Sequence, residues 1–175
     1  MANWSANNDL IKGNDMWLYL VILGESGMTS GAVATANVLA YSQSCSLEIN
    51  SDTLDITTKL NCRWNAVLPG NGSYTISSDN LYCKQSVASA NSAYTVDDLF
   101  EAMVAGDNVG WVMAVDKSAD TDECGEVLGP DVSGKYPVYY GEAAITSLSI
   151  TAGNNEICTS SITLTGSGKP EKYEA

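Results

Sequence analysis

Asp116, Ser118, Asp120 and Asp122 stand at alternate positions of an acidic stretch, the spacing at which side-chain oxygens converge on a calcium ion. Such a loop also needs glycine at its sixth position and a bidentate glutamate at its twelfth. Those places hold Thr121 and Val127. The stretch therefore reads as a solvated connection, and no metal is expected there. Glu48, Asp52, Asp55 and Glu142 are carboxylates from which a glycosidase pair could in principle arise. Any acidic β-protein offers as many. Asp97 and Asp98 are adjacent, and the start of a helix accounts for them. The chain has no histidine, which removes Ser-His-Asp and Cys-His nucleophiles and the commonest metal ligand. No GxSxG, phosphate loop or dinucleotide fingerprint occurs. The five cysteines, Cys45, Cys62, Cys83, Cys124 and Cys158, are odd in number and form no CxxC. That pattern speaks against a disulfide framework and a zinc site, and for reduced thiols. No enzymatic activity and no cofactor are expected.

Charge points the same way. The net charge is −13, with 14 acids against 4 bases in residues 91–175 and 7 against 4 in residues 1–90. Capture of nucleic acid through its phosphates needs clustered Lys and Arg, so that function is excluded. An acidic surface keeps a small domain dispersed, and it also suits a wall past which DNA slides without sticking. A chain of 175 residues, 45% of them hydrophobic, fits one folded domain with a sizeable core. No apolar run approaches the ~20 residues of a membrane helix. The N-terminus lacks the basic-then-apolar order of a secretory signal.

The elements are mostly strands. Residues 1–15 are polar and aperiodic and read as a flexible arm, 16–168 as the β domain, and 169–175 as a polar tail. Residues 16–23 are apolar on both faces, so that strand is buried on both sides or joins an assembly. After a glycine-bearing loop, a strand is expected over 33–41. Two more follow over 42–50 and 52–60, with Leu47/Ile49 and Leu54/Ile56 at a spacing of two. Leu68-Pro69-Gly70-Asn71-Gly72 reads as a breaker whose Asn-Gly suits a type I′ turn, before a strand over 73–77. Trp64, beside Arg63 in the long loop of 60–72, is either a minor core residue or an interface anchor. A linker over 86–93 leads to the one clear helix. Thr95 is its N-cap, Asp97 and Asp98 lie in its first turn, and Gly106 ends it. Leu99, Phe100, Met103 and Val104 are expected to face the core. Strands are then expected over 109–115 and 135–140, separated by an acidic loop (116–131), and a hairpin over 143–151 and 156–165. The fold class is mainly β: an antiparallel sandwich or partial barrel with one flanking α-helix.

The order of these pieces also resembles a family. Ser44-Cys-Ser-Leu-Glu-Ile49, Asp52-Thr-Leu-Asp-Ile-Thr-Thr-Lys59, Trp64, Leu68-Pro-Gly70 and Ser73-Tyr-Thr-Ile-Ser77 follow one another as in the major tail tube proteins of long-tailed bacteriophages. The likeness resumes in Tyr140-Gly-Glu-Ala-Ala-Ile-Thr-Ser-Leu-Ser-Ile-Thr-Ala-Gly153 and in Ser161-Ile-Thr-Leu-Thr-Gly-Ser-Gly168, covering roughly residues 38–168. The resemblance implies a structural virion protein, assembled in the host cytoplasm, whose hexameric rings stack into the tube for DNA ejection. Its partners would be further copies of itself and other tail proteins (tape measure, tail terminator, distal tail). DNA would pass through the lumen unbound, and no membrane would be involved. Roughly 24 strands at ~4.8 Å spacing and ~40° tilt give a barrel about 45–50 Å across, wide enough for duplex DNA. On this resemblance Trp17, Lys59, Arg63 and Trp64 are the candidates for contacts between subunits and rings, the loop bearing Trp64 reaching the next ring. Glu48 and Asp55, with Ser149, are the candidates for the lumen. The alternatives are a carbohydrate or host-surface binding module, presenting Trp4, Trp64, Tyr139 and Tyr140, and the inner tube of a contractile injection system.

Overall fold

The computed structural model describes residues 11–24, 27–58, 64–83, 93–120 and 128–174. Seven strands form one antiparallel sheet: β1 (Met16–Gly24), β2 (Asn37–Val38), β3 (Ser42–Asp55), β4 (Val67–Leu81), β5 (Asn108–Val115), β6 (Tyr139–Thr151) and β7 (Thr159–Lys172). Their order is β2-β1-β5-β6-β7-β4-β3. The sheet curls until the start of β1 meets β3, where the Cys45 thiol points at the carbonyl of Met16 at 3.9 Å. The result is a partial barrel.

Two apolar clusters sandwich the middle of this sheet. Leu18 and Leu20 of β1 and Val109, Trp111 and Met113 of β5 turn to the inner cluster, which also takes Tyr74, Ile76, Ile145 and Leu164. Tyr19 of β1 and Val112 and Ala114 of β5 turn to the outer one, with Val33, Val138 and Tyr140. Side chains alternate along a strand, so an all-apolar run such as 16–23 is stable only when both faces are covered. Both are. The lid of the inner cluster is a helix, α2 (Val96–Ala105). A capping box between Thr95 and Asp98 starts it and Gly106, at φ 80°, ends it. A four-residue helix, α1 (Ser30–Val33), brings Val33 to the outer cluster.

Several elements depart from the sequence expectation. The strands of 42–50 and 52–60 are one strand, β3, which ends at Asp55. Pro69-Gly70-Asn71-Gly72 is no turn but part of β4. Ser51 pairs with Gly72 and Thr53 with Pro69, so Gly70 and Asn71 oppose Asp52 alone. This is a β-bulge, a place where a strand tolerates proline and glycine. The expected strand of 33–41 is reduced to the end of α1 and two-residue β2. That of 135–140 starts only at Tyr139, after Pro137. β7 runs on to Lys172, pairing with Tyr139, so residues 169–172 are strand rather than tail. The arm of residues 1–10 and the linker of 84–92 lie outside the described residues.

The helix is turned from its expected orientation. Val96, Leu99 and Ala102 are buried, whereas Phe100, Met103 and Val104 are exposed. The chain enters α2 from Tyr94, whose backbone is bonded to Val38 and Ala40, and leaves it directly into β5. With both ends tethered, the helix presents its spacing-of-three stripe, and small Ala102 lets it lie close to the sheet.

Candidate functional site

On the four strands β6, β7, β4 and β3, every second residue points away from the inner cluster. Register sets these residues in rows across the sheet. One row is Ser147, Thr163, Ser77 and Ser46. The next is Ser149, Ser161, Asp79 and Ser44, and the third is Ala144, Thr165, Thr75 and Glu48. Hydroxyls dominate this face. Neighbours in a row are bonded to one another: Ser149 to Ser161 at 2.7 Å, and the Ser44 hydroxyl to Asp79 at 3.0 Å. Thr146, an extra residue where the β6–β7 register shifts, reaches Thr165 at 3.0 Å. No row contains a cation, and the only carboxylates in them are Glu48 and Asp79. The same strands are apolar on the reverse, where Ile145, Leu164, Ile76 and Leu47 form the matching row.

Glu48 and Ser149 therefore share a face. Asp55 does not join them. It lies seven positions from Glu48 on the same strand, and an odd separation puts it on the other side. There its Oδ1 accepts from the Thr57 backbone at 2.8 Å, and the hydrogen bonds from Thr57 hold its carboxyl below the ordinary range.

β4 pairs with β7 only from Thr75 to Leu81. The β3–β4 hairpin continues past that point, with Asp55 opposite Val67 as its last pair. Towards that end Leu54, Ile56, Trp64, Val67 and Leu68 are exposed among the described residues, Trp64 at 82%. Trp64 is thus no core residue. Lys59 and Arg63 lie in the same connection but outside the described residues. Trp17 is half-buried against the outer cluster and lines the cleft between β1 and β3.

The acidic stretch is closed at its base by Asp116, whose side of the story was hidden in the sequence. The residue is 1% exposed. Its Oδ2 accepts from the Tyr19 hydroxyl at 2.6 Å and the Gly129 backbone at 2.9 Å. Its Oδ1 accepts from the Ser118 and Leu128 backbones at 2.8 and 3.1 Å. All its lone pairs are engaged in protein contacts, which suits a loop latch rather than a cation ligand. Burial, and then Asp116 itself, push the Tyr19 phenol far up. Among the described residues no three His, Cys, Asp or Glu side chains group to hold a metal. Cys45, Cys83 and Cys158 are free thiols, and burial pushes Cys45 up. Cys62 and Cys124 lie outside the described residues.

The aromatic set of the carbohydrate-binding alternative is dispersed. Tyr140 is buried, its hydroxyl donating to Glu171 at 2.6 Å. Trp4 lies outside the described residues, and Trp64 and Tyr139 sit on different elements. Tyr74, which composition alone does not single out, ties the inner cluster together. Its hydroxyl donates to the carbonyls of Glu142 and Ser167, and its ring lies over Gly166.

Known folds place this architecture. The chain is similar to one in the tail of an empty gene transfer agent particle refined with C6 symmetry. The TM-score is 0.66 at 15% identity, over 95% of this chain and 100% of that one. It is similar to the SPP1 tail tube at TM-score 0.63 and 15% identity, over 95% and 80% of the two chains. It is also similar, at TM-score 0.52 and 14% identity over 99% and 100%, to a chain of the sheath–tube complex of an extracellular contractile injection system. No curated protein matches the sequence. At such identities these likenesses speak for the fold. Residues 10–172, however, match the family model described as phage tail tube protein. With nearly the whole chain covered, the conclusion is direct: this chain belongs to the phage tail tube protein family and is a structural component of the virion tail.

Proposed function

We propose that this chain closes into hexameric rings that stack into a hollow tube for DNA, with the hydroxyl rows as the lumenal wall. The observation that carries the reading is the two-sidedness of one half-sheet: wet, nearly uncharged rows on one face and a dry core on the other. The C6 symmetry of the similar gene transfer agent tail supports the six copies. β3 supports the lateral joint. Among the described residues it pairs with β4 alone, so the far edge of this 14-residue strand carries no ladder. Monomers blunt such edges, and an assembly pairs them.

Within this tube each residue type has a task. Hydroxyls exchange hydrogen bonds with water and carry no charge to trap phosphate. Glu48 adds a weak repulsion that salt confines to about 8–10 Å. The β3–β4 hairpin bearing Trp64, with Lys59 and Arg63 in its sequence, reaches the adjoining ring. Trp17 stands beside the β1–β3 cleft, where a neighbouring subunit would close the barrel. Tape measure, terminator and distal tail proteins would meet the tube at its core and ends. The fold serves equally as the inner tube of a contractile injection system. That reading is supported by the sheath–tube likeness and differs by a sheath that another chain would supply.

The test is negative-stain electron microscopy of the purified chain at rising concentration, with sizing in parallel. Stacked rings with a central hole are expected. An 18.5 kDa monomer at every concentration and salt, also after seeding with intact tails, overturns the proposal.

A further inference from the structure

The outer face of α2 has no partner among the described residues. Phe100, Met103 and Val104 stand at i, i+3 and i+4 and are 55%, 40% and 71% exposed. The helix also carries Asp97, Asp98 and Glu101, and no base. The end of the β3–β4 hairpin is its complement. It is apolar through Ile56, Trp64, Val67 and Leu68, and from 56 to 78 the only charges in the sequence are Lys59 and Arg63.

These two patches lie at opposite ends of the molecule. Val67, at one end of β4, closes the hairpin against Asp55. Leu81, at the other, pairs with Thr159, and the next hydroxyl, that of Tyr82, donates to Asp97 of α2 at 2.8 Å. The 15 residues of β4 separate the two ends by about 45–50 Å. Patches so far apart do not meet within one copy. A contact between them in two copies would be head-to-tail, an arrangement that repeats without closing and so builds a filament.

We propose that the hairpin end of one copy seats on the outer face of α2 in a second copy of the adjoining ring, with Trp64 against Phe100. The proposal rests on the ring-stacking reading and adds to it the receiving surface. Aromatic anchors buried at the centre of such a contact carry most of its energy, and the opposite charge of the two segments in the sequence favours the pairing.

The experiment places the photocrosslinking residue benzoylphenylalanine at position 64 in full-length chain, assembled from mixed isotope-labelled and unlabelled copies. Mass spectrometry should find mixed-label crosslinks from position 64 to residues 96–105. Crosslinks mainly to the β6–β7 turn, to another hairpin or to the β1–β3 cleft overturn it. In parallel, Phe100→Ser should raise the concentration at which tubes form by about tenfold or more, with the monomer's circular dichroism unchanged. If Trp64→Ala blocks tubes while Phe100→Ser does not, the hairpin contact stands and α2 is not its seat. If Trp64→Ala leaves tube formation unchanged, the hairpin contact itself falls.

Discussion

Asp116→Asn tests whether a single buried carboxylate holds the acidic loop to the sheet. Asparagine keeps one oxygen for the Ser118 and Leu128 backbones. It sets an amide against the Tyr19 hydroxyl and the Gly129 backbone, both of which donate in the native protein. Two charge-assisted bonds at about 1.5 kcal/mol each give a loss of about 3 kcal/mol. For a chain of this length each kcal/mol moves the midpoint by about 2–4 °C, so thermal unfolding of the monomer at pH 7 should drop by about 6–12 °C. Tyr19→Phe removes only one of the four bonds and should cost about 1–1.5 kcal/mol, and the double variant should lose less than the sum. The pH dependence has a definite sign. Burial pushes the Asp116 carboxyl up, but the bonds from Ser118, Tyr19 and Leu128 outweigh it and leave it below its ordinary value of 3.8. The unfolded chain thus takes the proton more readily. The stabilisation is complete above about pH 4 and is lost as pH falls through the lower, folded value. Asp116→Asn should abolish that part of the acid sensitivity. A midpoint within 1 °C of the parent, or an unchanged acid limb, refutes the latch.

Leu99→Ala should destabilise the monomer by about 2–4 kcal/mol in urea unfolding, whereas Phe100→Ala should change it by less than about 1 kcal/mol, because only Leu99 is buried. Equal losses would mean the helix is turned the other way. Gly166→Ala drives a methyl group into the Tyr74 ring and should cost about 1–3 kcal/mol by the same measurement, and a neutral result would contradict the packing of that ring on the glycine. Ser161→Lys puts one cation per subunit into the hydroxyl rows. Particles carrying it should assemble but eject DNA slowly at about 0.1 M salt and recover as salt rises, read by release of a DNA-binding dye. Ejection at the parental rate would place the rows outside the lumen.

What was legible in the sequence followed from period and capping. Alternation marks the β6–β7 hairpin, continuous apolar runs mark β1 and β5, and Thr95, Asp98 and Gly106 bound α2. What was not legible depended on long-range partners. Pro69-Gly70-Asn71-Gly72 has turn chemistry, and only the register against Ser51 and Thr53 makes it a bulge. The apolar residues of α2 cover more than half its circumference, and tethers at Tyr94 and Asn108 choose which stripe is buried. Glu48 and Asp55 looked equivalent until β3 proved to be one uninterrupted strand, on which they face opposite ways. Asp116 carries no local sign of burial, since its partner Tyr19 lies 97 residues away in the sequence.

The location of the acidic residues bears on how such a tube would pass DNA. A net charge of −13 suggests a strongly negative lumen, yet the rows carry only Glu48 and Asp79. Asp97, Asp98 and Glu101 belong to α2, on the core side of the sheet, and Asp116 is consumed within the fold. A dense carboxylate wall would hold its own counterions, and a passing duplex with its own ion atmosphere would have to exchange with them at every step. Neutral hydroxyls impose no such exchange. They offer phosphates only hydrogen bonds that water makes equally well, so the net energy of sticking at any one point is small. If the rows line the lumen, their few carboxylates, repeated around a ring, would add a weak repulsion within a Debye length, and the absence of Lys and Arg from the rows would leave no sites at which the duplex stalls. On the proposed reading the slipperiness of the tube would come from the alternation of Ser and Thr along β4, β6 and β7, and the acidic surplus would serve solubility and the contacts between rings.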